Sequence, residues 1–131
     1  MTIAQRALLF VGAELAVFAI LRAALFISPS INLNLGATNI HHLFIGAFLL
    51  VVAVIFLLLG FANRALILAA GVASGLVLDE IVYLIATDGS DGAYLAPVSF
   101  VGALILIMIT LLVMGVGYRF AARKRSSRHS R

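Results

Sequence analysis

Two adjacent pairs of ionisable residues, His41-His42 and Asp79-Glu80, interrupt segments that otherwise read as hydrocarbon. A charge at membrane depth is costly and normally has a partner or a task. Two imidazoles and two carboxylates form a donor set suited to a divalent metal such as zinc, manganese or iron. Helical metal motifs, however, space their ligands one turn apart on a single face. Here the members of each pair are neighbours, and helix neighbours diverge by about 100°. The same four residues therefore also read as a hydrogen-bonded ion-pair network completed by Arg22. Two further readings are a pocket for a small polar ligand or lipid head group, and a proton-coupled site. In the pocket reading, Arg22 would hold an anion and the carboxylates an amine. Hydrolysis would need an activated hydroxyl or water. Thr38 and Ser99 are the hydroxyls near this level, and neither lies in a nucleophile motif. Nothing in the sequence specifies catalysis. A bis-histidine haem fits poorly, because both helical histidines share one segment and His129 lies in the tail.

The elements that must position these residues follow from composition. The chain has 131 residues, of which 64% are hydrophobic and 11% charged. Its mean hydropathy is +1.22. No water-soluble domain of this size could hide so much apolar surface, so lipid is the expected solvent. A spanning helix needs about 20 mostly apolar residues, and the length admits four. The predicted helices cover residues 7–27, 39–60, 65–86 and 97–118. Together they make one all-α transmembrane domain, residues 1–118, folded as an up-down-up-down four-helix bundle. The first run is too long for a signal-peptide core and lacks a small-x-small cleavage site, so it reads as a retained helix. Pro97 suits a helix start, and Asn39 suits a cap for the second helix. With no cysteine, disulfides and thiolate metal sites are excluded.

Charge decides the expected orientation. Arg6, Arg64, Arg119, Arg123, Lys124, Arg125, Arg128 and Arg131 all fall on one side of a four-span arrangement. Asp88 and Asp91 fall on the other, whose loops hold no Lys or Arg. The positive-inside rule then places both termini in the cytoplasm of a multi-pass cell-membrane (inner-membrane) protein. Residues 119–131 form a basic, Ser-rich tail, expected to be disordered and to bind anionic lipid head groups. The sequence leaves phosphorylation of Ser126 or Ser127 unspecified. A nucleic-acid reading fails for lack of any folded basic domain.

Counting along each predicted helix places Arg22, His41, His42, Asp79 and Glu80 within roughly 10 Å of the outer boundary, at about 1.5 Å per residue. Three helices thus contribute polar groups at one level. Gly71, Gly75, Asp79 and Tyr83 recur on one face of the third helix, with Ser74 beside them. Gly46, Ala53 and Gly60 lie on or near the face of His42. Small residues mark close helix contact in membranes, so Asp79 and His42 are expected to point inward, with Tyr83 and Glu14 as supporting partners. A homodimer is compatible with this pattern.

Glu14 lies mid-helix, where a buried carboxylate is either protonated, paired or a coupling site for proton or cation exchange. In size, span number and a first-helix glutamate the chain is similar to the small multidrug resistance transporters. It departs from them in having no Trp and in its His-His and Asp-Glu pairs. Asp88-Gly-Ser-Asp-Gly is too short for a calcium loop and reads as a polar turn. Asn32 and Asn34 are expected to satisfy loop backbone. The His-His-x-x-x-Gly start at His41, His42 and Gly46, with Gly-Leu-x-Leu-Asp-Glu from Gly75 to Glu80, resembles a group of small uncharacterised bacterial four-span integral membrane proteins. The resemblance spans about residues 38–84. It implies a bacterial inner-membrane protein in which the two pairs act as one unit, and it implies no activity.

Overall fold

The computed structural model describes residues 1–28, 34–35, 38–39 and 41–129. Four α-helices dominate: α1 (Ile3–Ile27), α2 (His42–Leu58), α3 (Arg64–Ala86) and α4 (Pro97–His129). Between α1 and α2, β1 (Asn34–Leu35) pairs antiparallel with β2 (Thr38–Asn39). A 3-10 helix, Asp91–Leu95, precedes α4. Asn32, and the side chains of Asn34, Thr38 and Asn39, lie outside the described residues.

Local chemistry sets the helix ends. Helix α1 starts at Ile3, four residues before the expected start, because Thr2 and Gln5 form a reciprocal capping box. Each side chain satisfies the other's free amide at the helix start. Helix α2 starts at His42 rather than residue 39, because Thr38–Asn39 is committed to the strand pair. It ends at Leu58 rather than Gly60. Gly60 takes φ +88, and the Gly60 and Phe61 amides donate back to Leu57 and Phe56 at 3.1 and 3.0 Å. This left-handed reversal, with the Phe56 and Phe61 rings 5.8 Å apart, closes the helix in a Schellman turn. Asn63 then caps α3 by accepting from Leu66 N–H at 2.9 Å. Helix α4 does not stop at Tyr118 as the sequence reading had it. It runs on to His129 through Ala121, Ala122 and a run of Arg and Lys, all good helix formers, with no Gly or Pro to break it.

Helix α3 is the hub. It packs against α1, α2 and α4, and α4 also touches α1, whereas α1 and α2 do not meet among the described residues. Small residues permit this. A Cβ at Gly75 would lie 2.8 Å from the Glu14 carbonyl of α1, and one at Gly46 would lie 2.7 Å from the Ala73 carbonyl of α3. Three helices (α1, α3 and the stretch Pro97–Arg123 of α4) are long and apolar enough to cross a membrane, and α2 is a shorter apolar helix of 17 residues.

Burial is inverted relative to a water-soluble protein. The largest fully buried side chains are Glu14, Asp79 and Ser99. Phe44, Phe48, Val51 and Ile55 of α2 face outward, as do Ile105, Met108 and Leu112 of α4. A small apolar cluster of Phe18, Ala103 and Ile107, edged by Leu78 and Leu111, separates Glu14 from the polar layer above it.

Candidate functional site

Polar residues of all four helices and the 3-10 helix meet in one layer. Arg22 and Asp79 form its centre. Arg22 Nε–H donates to Asp79 Oδ1 at 2.5 Å, and Nη2–H donates to the Asp79 backbone carbonyl at 2.8 Å. Nη1–H donates to the Tyr94 carbonyl at 2.7 Å, and both terminal nitrogens reach Ser99 Oγ at 3.3–3.4 Å. The guanidinium also stacks against aromatic rings, with Cζ 4.7 Å from the Tyr94 centroid and 5.5 Å from that of Phe18. A guanidinium offers five donors in a planar fork, and this site engages all three of its nitrogens.

The second carboxylate is held differently. Glu80 Oε2 accepts from Leu43 N–H at 2.7 Å, and Oε1 lies 2.5 Å from His41 Nδ1. Leu43 is in the first turn of α2, where amide groups have no intrahelical acceptor. Glu80 of α3 therefore caps α2 from outside, and its charge complements the positive end of the helix dipole. The expected cap, Asn39, is the last residue of β2, and His41 at the cap position makes no side-chain cap bond.

His42 joins the two carboxylates. Its Nε2 lies 3.3 Å from Asp79 Oδ2 and its Nδ1 lies 3.3 Å from Glu80 Oε2. Tyr94 adds a further link: its hydroxyl donates to Asp79 Oδ2 and lies 3.0 Å from His42 Nε2. Burial, and then the charge of Asp79, push the Tyr94 hydroxyl above its ordinary range, so it stays a donor.

Tyr83 lies beside this core rather than in it. Its hydroxyl donates to the Gly89 carbonyl at 2.5 Å, and its ring lies 4.6 Å from that of Tyr94 and 6.3 Å from that of His41. It ties the loop after α3 down over the layer. In that loop Asp88 accepts from the amide and hydroxyl of Ser90 at 3.0 and 2.8 Å, which holds its carboxyl below the ordinary value. This is a polar turn.

The structure thus brings together Arg22, His41, His42, Asp79 and Glu80, the residues singled out by depth. It separates Glu14 from them. Glu14 is fully buried, and one oxygen receives the Ser74 hydroxyl at 3.4 Å. Sequence reasoning missed Tyr94 altogether and placed the Ser99 hydroxyl near this level without pairing it with Arg22. The available signal for Tyr94 was a lone aromatic in an acidic loop, three residues before the Pro97 helix start.

Among the described residues, no group of three or more His, Asp or Glu side chains is arranged to hold a metal ion. The expected four-residue metal shell is instead divided, with His41 turned to Glu80 and His42 wedged between both carboxylates. The chain matches no known protein family, no curated protein and no solved structure.

Proposed function

We propose that this chain is a four-span inner-membrane protein whose outer polar layer locks its helices together, serving as a structural or accessory membrane subunit. The inverted burial and the apolar exteriors of the helices support the membrane reading. The one-sided distribution of Arg and Lys supports cytoplasmic termini, with the Asp88 loop outside. The basic end of α4 then lies beside anionic head groups of the inner leaflet.

One observation carries the structural role. Every charged member of the layer is engaged by another member or by backbone. Among the described residues, the one buried side-chain polar atom without a partner is Oε2 of Glu14, outside the layer. A ligand site keeps buried groups in reserve, and among the described residues no fully buried polar side-chain atom of this layer lacks a partner. Removing one member of such a network leaves its partner buried and uncompensated.

A second reading, binding of a small polar ligand or divalent cation from outside, is favoured by the partial exposure of His41 and His42, whose side chains are 26% and 21% accessible. Purified wild type, Asp79→Asn and Glu80→Gln separate the two. The structural role predicts lower melting temperatures in both variants and no stoichiometric metal by plasma mass spectrometry. Metal present in wild type and lost in both variants, or unchanged stability in both, would overturn it.

A further inference from the structure

Glu14 is the buried titratable group that the polar layer does not use. It is fully buried, and Oε2 has no partner among the described residues. Its surroundings offer little. On α3 it faces Ser74, with Gly71 and Gly75 presenting only backbone and hydrogen. One turn along α1, Phe18 packs with Ala103 and Ile107 of α4, which carry no charge. Arg22 lies two turns further along α1, beyond Phe18, and is committed to Asp79. Asp79 itself is more than one turn beyond Ser74 on α3, and α2 does not touch α1.

An isolated carboxylate in such a medium is very costly, whereas a neutral carboxylic acid costs only its unmade hydrogen bonds. A bound metal cation would need several oxygens. One hydroxyl is in reach, and the backbone carbonyls nearby serve α1 and α3. A proton is the cation that this environment can hold.

A groove opens on the same face of α1. An apolar groove of about 420 Å³ runs between α1 and α4, lined by Ala4, Ala7 and Val11 on one side and by Leu111, Gly115 and Tyr118 on the other. Ala4, Ala7, Val11 and Glu14 recur at three- and four-residue steps along one helix face. Glu14 is the next residue on that face beyond the groove.

We infer that Glu14, with Ser74, is an intramembrane proton-binding site, a neutral carboxylic acid approached through the α1–α4 groove. The inference rests on α1 lying in an apolar medium and is independent of the role assigned to the polar layer.

The test is labelling of detergent-purified full-length protein with dicyclohexylcarbodiimide, a lipophilic reagent that modifies protonated carboxyls, followed by intact and peptide mass spectrometry. A water-soluble carbodiimide serves as the parallel probe. The expected result is one lipophilic adduct mapped to Glu14, absent in Glu14→Gln, with no labelling of Glu14 by the water-soluble reagent. Glu14→Gln should melt no lower than wild type, because a neutral isostere replaces a neutral group. Gly115→Leu should slow the labelling. A Cβ at that position meets nothing within 4 Å, so the variant fills the groove without a clash. No adduct at Glu14 in folded wild type, or an adduct on Asp79 or Glu80 alone, would overturn the proton site. Undiminished labelling in Gly115→Leu would overturn the route. Modification of Glu14 by the water-soluble reagent would show instead that α1 is open to water, so that the membrane reading fails separately.

Discussion

Arg22 holds Asp79 twice, through the carboxylate at 2.5 Å and through the backbone carbonyl at 2.8 Å. The second bond uses a carbonyl of α3 itself, so the guanidinium fixes both the rotation and the height of α3 against α1. Arg22→Met leaves Asp79 buried without its main counter-charge. The expected loss is about 3–5 kcal/mol, the cost of breaking a buried pair. The double variant Arg22→Met/Asp79→Leu should recover part of that loss. Reversible unfolding in detergent, run as a double-mutant cycle, checks this, and an additive cycle would contradict the pairing.

Glu80 stands in for a missing local cap on α2. Glu80→Ala should remove the acceptor for Leu43 N–H and cost about 1 kcal/mol, typical of a lost helix cap. Glu80→Gln keeps an acceptor and should lose less. Hydrogen exchange at Leu43 and Phe44 is the direct readout. Faster exchange there, with the C-terminal half of α2 unchanged, is the expected pattern.

Tyr94 links the loop to the layer. Tyr94→Phe keeps the ring beside Arg22 but deletes the donor to Asp79 and the contact to His42. A buried acceptor left short of one bond costs about 1–3 kcal/mol. A melting temperature equal to that of wild type would show that the hydroxyl is dispensable.

The α1–α3 crossing leaves no room at Gly75. Gly75→Ala would set a methyl 2.8 Å from the Glu14 carbonyl and 3.1 Å from Val17 Cβ, so the helices must part. Overpacking of this kind typically costs about 1–3 kcal/mol. Gly12→Ala, where a Cβ meets nothing within 4 Å, is the matched control and should be neutral or stabilising.

Asp88 gives a pH dependence of known sign. The Ser90 amide and hydroxyl hold its carboxyl below the ordinary 3.8. A depressed folded-state value stabilises the turn fully above 3.8 and is lost as pH falls through the folded value. Carboxyl resonances followed by NMR should therefore titrate below 3.8, and Ser90→Ala should move the midpoint back toward it.

Much of the site could be read from sequence because cost confines charge. Arg22, His41, His42, Asp79 and Glu80 stood out at one depth since few other charges interrupt the apolar runs. Their pairing could not be read, because adjacent residues diverge and only the packing decides that His42 sits between the two carboxylates. Tyr94 was invisible because an aromatic loop residue carries no depth signal, and Ser99, placed near this level, carried no sign of which group it would meet. Glu14 was grouped with the layer by polarity, and the apolar cluster around Phe18 keeps it apart. The start of α1 was legible in Thr2-x-x-Gln5, whereas the cap of α2 was not, since it comes from another helix.

The absence of contact between α1 and α2 has a consequence for biogenesis. As the chain is synthesised, the first two helices have no close backbone approach among the described residues on which to pair. Their shared scaffold, α3, arrives third, and two of Arg22's partners, Tyr94 and Ser99, emerge only afterwards. Asp79 on α3 supplies the counter-charge of Arg22 first, and the Tyr94 carbonyl and Ser99 hydroxyl complete its set of acceptors. The polar layer is therefore ordered along the chain, with α3 bringing the counter-charge and the segment from residue 94 onward closing the site.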